Sequence, residues 1–319
     1  MTALYALLPL LAGFLLDALI GDPQGMPHPV RAVGTLVART EDFVRRHFSS
    51  HLTAGGVFLV IVVLLFSVGI PSAVLFVCYH IHRWIGIIVE SVLVFTLLAA
   101  RSLTDETMKV YRALEANDIE GARTAVSMVV GRDTSVLDRA GITRAAVETV
   151  AENTSDGVTA PMLYIALFGV AGGFFYKAVN TMDSMVGYRN EHYRQIGCCA
   201  ARLDDVLNFI PSRLTALFMI AAAYLLRLDG DGARRIWRRD RRKHASPNSA
   251  QTEAACAGAL GIRLAGDAVY FGELHHKPYI GDDTRPVEPA DIVRANWLMR
   301  VTVVLFWIVC LILRGVLMG

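Results

Sequence analysis

Charge is scarce in this chain: Asp, Glu, Lys and Arg make up 19% of its 319 residues, against about a quarter in an ordinary soluble domain. The net charge is only +2, so no global attraction to a polyanion exists and nucleic acid is not an expected partner. Five cysteines (Cys78, Cys198, Cys199, Cys256, Cys310) form neither a CxxC pair nor a small secreted framework. Adjacent Cys198 and Cys199 cannot easily reach disulfide geometry, so no redox role is indicated. Familiar catalytic signatures are missing as well. There is no GxxxxGK[ST] loop, no GxGxxG after a strand, no HExxH and no GxSxG, so any nucleotide site here is of an unfamiliar kind. Internal repeats and low-complexity tracts are absent. No basic region precedes the first apolar stretch, which is therefore expected not to be a cleaved signal peptide.

What the chain has instead is long apolar runs. Hydrophobic residues account for 54% of it, and its mean hydropathy is +0.44. Residues 57–77 carry no charge in 21 positions, enough helix to cross a bilayer core of roughly 30 Å. Disorder, a coiled coil and an ordinary cytosolic enzyme fold are thereby excluded. The expected fold is all-α: a polytopic helical membrane protein with about five or six membrane segments and helical cytoplasmic loops, forming one integral membrane domain over 1–319. The segments fall at about 3–20, 54–79, 84–100, 158–176, 207–226 and 297–318, separated by polar loops 21–53, 101–157, 177–206 and 227–296. If all six cross, loops 21–53, 101–157 and 227–296 share one side and carry 23 of the 31 Lys and Arg. By the positive-inside rule that side is the cytoplasm, and the protein is expected in the cell (inner) membrane, in contact with the lipid bilayer. Loop 177–206 then falls on the opposite side. Pro161, Gly169, Gly172, Gly173 and Pro211 interrupt its flanking segments, so 158–226 is expected to be a discontinuous pair lining a cavity open to the cytoplasm. Glu90, inside an apolar segment, is expected to face protein.

Several polar stretches could carry chemistry. In DALIGDPQGMPHPVRAVG (17–34), three prolines hold Asp22, His28 and Arg31 at the membrane surface; a stiff re-entry loop with incidental polar residues is the plainer reading. In ETVAENTSDGVTAP (148–161), Glu148 and Glu152 share a helix face, with Asn153, Thr154, Ser155 and Asp156 at its end. That pattern suits hard-oxygen binding of Mg²⁺ beside phosphate, and suits a solvated helix end equally well. In the stretch 176–214, helical spacing puts Lys177, Asn180, Thr181, Ser184 and Tyr188 within an arc of about 100°, with Asp183 on its flank. Ala178, Val179, Met182 and Met185 occupy the other face. Arg189, Arg194, Arg202, Asp204 and Asp205 follow, residue types that bind phosphate and metal; interhelical ion pairing is the alternative. The basic run RRIWRRDRRK (234–243) reads first as an anchor to anionic lipid. In HASPNSAQTEAACAGALG (244–261), a turn at Asn248 leads into a helix with Glu253 early in it. GELHHKPYIGDD (272–283) sets His275, His276 and Lys277 in a Pro/Gly loop.

Taken together, GDPQGMPHPVRAVG, ETVAENTSDGVTAP, KAVNTMDSMVGYRNEHYRQIGCCAARLDDVLNFIPSRLTA and the RRD…HASPN…EAACAGALG…YFGELHHKPYIG block resemble the CobD/CbiB family of cobalamin biosynthesis, the adenosylcobinamide-phosphate synthases. They run in the family's order from residue 17 to 281. One departure is SPNSAQTEAA, where family members often carry a Gly-Trp-Pro-like turn between SPN and EAA. The resemblance implies a membrane ligase that joins adenosylcobyric acid to 1-amino-2-propanol or its O-phosphate as an amide, consuming ATP with Mg²⁺, with other corrinoid-pathway enzymes as possible partners. An acyl phosphate is the expected intermediate, because a carboxylate oxygen must become a leaving group. On that reading Glu152, Asp156 and Asp183 are expected metal ligands, and Lys177, Arg189 and Arg202 contact phosphate or acyl-phosphate oxygens. Asn153, Asn180, Ser184 and Tyr188 orient substrate amides, joined in substrate binding by Asp22, His28, Arg31, Ser155, Asn248 and Lys277. His244 and Asp205 are candidate general bases. A membrane sensor or transporter that binds a polar ligand is the rival from another class; a scaffold for corrinoid enzymes is a third reading.

Overall fold

A computed structural model describes residues 2–22, 28–188, 190–270 and 272–319, with side chains from Tyr5 onward. In chain order its helices are α1 (Thr2–Ile20), α2 (Pro29–His47), α3 (Leu52–Ile81), α4 (Arg83–Leu97), α5 (Ala100–Glu115), α6 (Ile119–Ser127) and α7 (Arg139–Asn153). A π-helical turn (Thr154–Thr159) joins α7 to α8 (Ala160–Val186); then come α9 (Cys198–Leu207), α10 (Phe209–Leu225), α11 (Gly230–Asp240), α12 (Ser249–Leu260) and α13 (Ala290–Met318). Between α12 and α13 lie β1 (Leu264–Ala265), β2 (Ala268–Tyr270), β3 (Glu273–His275) and β4 (Tyr279–Ile280). With 75% of the described residues helical, the fold is all-α and polytopic.

Among the described residues, four helical stretches are long and apolar enough to cross a membrane: Leu52–Ile81, Arg83–Glu115, Arg139–Val186 and Ala290–Met318; counting α9 and α10 as one broken span makes five. The expected segment at 3–20 is the helix α1, apolar over Tyr5–Ile20 and shorter than those four. Only 22% of the apolar window of α3 is buried, against 61% in the stretch that includes α8. Ile61, Leu65, Ile70 and Phe76 therefore stand out on α3 as side chains fit for lipid, whereas the second stretch is largely protein core.

The chain folds into two units, Met1–Ala99 with Ala160–Asn208 and Ile308–Gly319, and Ala100–Thr159 with Phe209–Trp307. In the first, Val33, Val37 and Val44 of α2, Leu59, Val60 and Val63 of α3, and Ala178, Val179, Met182 and Val186 of α8 close one core. Helix α8 continues ten residues past the expected segment end at 176, because its apolar face goes on packing while its polar face emerges. Its interruption is Gly169, whose φ of 70° and ψ of −165° only glycine adopts without strain. Tyr188 lies beyond the helix and so does not extend the polar stripe as helical spacing implied. Glu90 is half-buried and accepts a hydrogen bond from the Tyr79 hydroxyl of α3.

The second unit is built around α12, every residue of which is buried. Its small side chains let α11 approach so closely that a Cβ on Gly258 would meet the Gly232 carbonyl oxygen at 2.4 Å. The 101–157 loop is helical as expected, with Asn117 (φ 55°) separating α5 from α6. The Pro/Gly loop at 272–283 instead contributes to two short antiparallel ladders, β1 with β4 and β2 with β3. Their strands of two or three residues leave no readable alternation.

Candidate functional site

In the second unit, α7 starts at Asp138, whose carboxylate accepts from the Gly141 N–H at 2.7 Å, and presents Glu148 and Glu152 one turn apart. Both line a cavity of about 130 Å³ with Arg132, His244, Glu253, Tyr270 and Lys277. Glu148 accepts a hydrogen bond from Arg132 on one oxygen and from the Ala265 N–H on the other, at 2.6 Å. Glu152 accepts from the Ser249 hydroxyl at 2.8 Å. Lys277 donates to the Tyr270 hydroxyl at 2.8 Å and stands over that ring at 4.6 Å. His244 Nδ1 accepts from the Ser246 N–H at 3.1 Å.

Glu253 is the exception. It is 5% exposed, and its Oε2 has no hydrogen-bond partner among the described residues. Burial, reinforced by the charges of Glu152 and Glu148, pushes its carboxyl well above the ordinary range; Lys277 and Arg132 oppose this without cancelling it. Burial acts to lower the Arg132 guanidinium, but Glu148 outweighs it and the net direction is up. The cavity thus combines an ion pair that is internally satisfied with an acid that is not.

Asn153 lines the same cavity and bonds the Thr149 carbonyl at 3.0 Å through its amide nitrogen. Ser155 and Asp156 lie in the π-helical turn; the Ser155 hydroxyl is buried without a partner among the described residues, and Asp156 is half-buried. Such turns widen a helix and recur at functional sites. Asn248 accepts from Arg213 at 3.2 Å and from Ser212 at 3.3 Å, tying the start of α12 to α10.

The first unit holds the other expected residues. On α8, Lys177, Asn180 and Thr181 are half-buried and Ser184 is exposed, opposite the buried Ala178, Val179 and Met182. Asn180 donates to Asp204 at 3.4 Å, Asn208 donates to the same carboxylate at 3.0 Å, and the Tyr176 hydroxyl donates to Asn208 at 2.7 Å. The half-buried Asp183 lies over Gly187, where an added Cβ would meet its Oδ1 at 2.0 Å. Tyr188, Arg202 and Asp205 line a pocket of about 260 Å³ with Arg194, Cys198 and Ala201. His28 caps α2, accepting from the Val30 N–H at 3.3 Å, and Arg31 pairs with Asp22 at 3.4 Å. Burial lowers the His28 pKa; Asp22 opposes, while Arg31 and Lys177 add to the lowering, so these four residues share one electrostatic neighbourhood. Arg189 and the residues 23–27 lie outside the described residues.

The expected ligands Glu152 and Asp156 belong to one unit and Asp183 to the other. Among the described residues, no three His, Cys, Asp or Glu side chains form a group that could hold a metal ion. Mg²⁺, however, commonly takes only one or two carboxylates and completes its shell with phosphate and water. The hard oxygens of Glu152 fit that partial role. In the basic run, Arg235 and Arg239 each pair with Asp282 at 2.6 Å and Lys243 with Asp240 at 2.8 Å, so much of this run is engaged within the protein. Arg234 and Arg238 line its open outer face.

The comparisons with known proteins bear on the same stretches. A family model described as CobD/Cbib protein matches residues 10–299. The chain belongs to the CobD/CbiB family. It is similar to a cobalamin biosynthesis protein CobD of Clostridium perfringens, with 41% identity over 98% of this chain and 99% of the relative. It is also 49% identical to a CobD of Klebsiella pneumoniae over 90% of this chain and 91% of that relative. A cobalamin biosynthesis protein CbiB of Salmonella typhimurium is 48% identical, again over 90% of this chain and 91% of the relative. No solved structure matches. The family's match spans both the acid cavity and the polar face of α8.

Three residues of the cavity escaped assignment from sequence: Arg132, Tyr270 and Glu253. Arg132 gains meaning only from its pairing with Glu148, and Tyr270 from a β-hairpin that has no pattern. Glu253 did carry a signal: a lone acid in a helix otherwise small or uncharged on every face has to be buried.

Proposed function

We propose that this protein is an ATP-dependent acid–amine ligase of cobalamin biosynthesis, joining adenosylcobyric acid to (R)-1-amino-2-propanol or its O-phosphate to give adenosylcobinamide or its phosphate. The observation that carries the reading is the near-full-length match to the CobD/CbiB family. In support, buried acids and cations collect in one cavity, and arginines line a separate pocket.

The chemistry runs in two steps. A carboxylate oxygen of the corrinoid attacks the terminal phosphorus of ATP, releasing ADP and leaving an acyl phosphate. The amine nitrogen then attacks the acyl carbon, phosphate leaves with the C–O electron pair, and the nitrogen gives up a proton. Arg194 and Arg202 offer planar donors suited to phosphate oxygens, with Lys177 as a further cation and Arg189 the neighbouring candidate from sequence. Glu152 and Asp156 would hold Mg²⁺, which would neutralise phosphate charge during transfer, while Asp183 is the expected carboxylate of the other unit. Asn153, Asn180, Ser184 and Tyr188 supply hydrogen bonds for an amide-rich corrinoid. Of the candidate bases, His244 lines the acid cavity and Asp205 the arginine pocket. The working location is the cell membrane, with the basic loops cytoplasmic, where ATP and other corrinoid enzymes are available.

Purified protein given adenosylcobyric acid, 1-amino-2-propanol or its phosphate, ATP and Mg²⁺ tests this. Formation of the corrinoid amide with stoichiometric ADP supports the reading; a lack of turnover in every combination rejects it.

A further inference from the structure

The acid cavity has a definite chemical preference. Its lining holds three carboxyl groups, Glu148, Glu152 and Glu253, against the basic side chains of Arg132 and Lys277. Arg132 is committed to Glu148. Glu152 has the Ser249 hydroxyl. That leaves Glu253, a lining residue 5% exposed, whose buried Oε2 has no partner among the described residues. An unpaired buried carboxyl oxygen destabilises the fold, so a ligand that brings donors and positive charge offsets a cost already built into it.

Size narrows the ligand further. At about 130 Å³ the cavity is well below the roughly 300 Å³ where pockets for drug-sized molecules begin, so a nucleotide or a corrin ring reaches no further than its mouth. A compound of a few heavy atoms fits inside. A divalent cation held at Glu152 alone is the competing occupant, and the displacement test below separates the two.

We propose that this cavity is the binding site for a small primary amine in its ammonium form, with Glu253 as the side chain that recognises the ammonium. An ammonium N–H donates to the Glu253 Oε2, while the remaining atoms lie toward Lys277 and Tyr270, whose ammonium and hydroxyl suit a hydroxyl or phosphate on the same molecule. A cation beside Glu253 would offset the burial and the carboxylate charges that raise its carboxyl. The identity of that amine as 1-amino-2-propanol or its phosphate rests on the ligase reading above; the preference for a primary ammonium does not.

The test is equilibrium dialysis of radiolabelled 1-amino-2-propanol with the purified full-length protein in detergent micelles. Saturable binding should be displaced by ethylamine, and not by 2-propanol or tetramethylammonium. Glu253→Gln should weaken it about 30-fold, the scale expected for losing one charged hydrogen bond. The wild-type displacement pattern holds the proposal to account even where the variant folds poorly. Unchanged binding in folded E253Q, displacement by 2-propanol, or one-for-one displacement by Mg²⁺ overturns it. In ligation assays E253Q should raise KM for the amine about 30-fold and leave KM for adenosylcobyric acid unmoved. Amine binding without any ligation removes the ligase reading and keeps the site; ligation with the amine KM unmoved by E253Q does the reverse.

Discussion

Two buried acids in the second unit meet opposite fates. Asp240, at the end of α11, has a fully buried side chain, and donors surround it: Arg239 at 2.7 and 2.8 Å, Lys243 at 2.8 Å and the Gly281 N–H at 2.9 Å. Burial works against its charge, yet these donors hold its carboxyl well below the ordinary range. Glu253, on the adjoining α12, is buried to a similar degree, lacks a partner for Oε2 among the described residues, and is shifted upward. The same chemical group is structural where the fold supplies its donors and available to a ligand where the fold withholds them. Burial alone does not distinguish the two; the donor inventory does.

The contrast can be broken by exchanging its terms. The largest expected effect is on activity. Glu253→Gln should lower kcat/KM for the amine about 30-fold, through KM rather than kcat, the scale of one charged contact, while the protein still folds. Its stability should respond to pH in a defined direction. Because the folded Glu253 carboxyl is raised, the folded state keeps a proton that the unfolded chain releases above the ordinary glutamate range. Wild type should therefore lose stability as pH rises from that range through the raised value, and E253Q should not. Thermal melts of both proteins from pH 5 to 8 would show a widening gap in favour of E253Q; a constant gap would contradict the assignment.

Asp240→Asn should do the opposite. It should cost about 2 kcal/mol of stability, below the 3–5 kcal/mol of a fully enclosed pair because Arg239 and Lys243 remain partly in water. The kinetic constants of the folded fraction should stay unchanged. Acid adds a second signature: a depressed carboxyl contributes stability that is present above its unfolded value of 3.8 and lost as pH falls through its folded one, a loss absent from D240N. Denaturant titration at pH 7 and pH 3 measures both. If D240N abolishes ligation while folding normally, the division between structural and ligand-facing acids fails.

The smallest effect belongs to the outer ion pairs. Arg235, more than half exposed, pairs with Asp282 at 2.6 Å, and Arg235→Ala should change stability by less than about 1 kcal/mol, with no change in activity. A larger loss in a denaturant titration would mean that the basic run stabilises the fold rather than presenting a solvated face.

The helical membrane class was legible in sequence because uncharged runs such as 57–77 have few other uses. The two-sided character of α8 was legible too, since Lys177, Asn180, Thr181 and Ser184 recur at helical spacing against Ala178, Val179 and Met182. Glu148 and Glu152 could be placed on one face for the same reason. What periodicity cannot carry is contact across the chain. Arg132 meets Glu148 from a loop outside α7, Glu253 comes about a hundred residues later, and the strand that brings Tyr270 is three residues long. The break at Gly169 was expected as an interruption of an apolar segment, but its left-handed backbone shows only in the structure.

The most direct test of the account is a single reconstituted reaction. Full-length protein in lipid vesicles is supplied with adenosylcobyric acid, isotope-labelled 1-amino-2-propanol or its phosphate, ATP and Mg²⁺, and the corrinoid products are read by mass spectrometry alongside ADP. The account predicts one labelled amide per ADP formed, with neither product appearing when the amine or the corrinoid is omitted. Amine or corrinoid binding without ADP or amide would contradict it and favour a membrane sensor or transporter built on the same cavity.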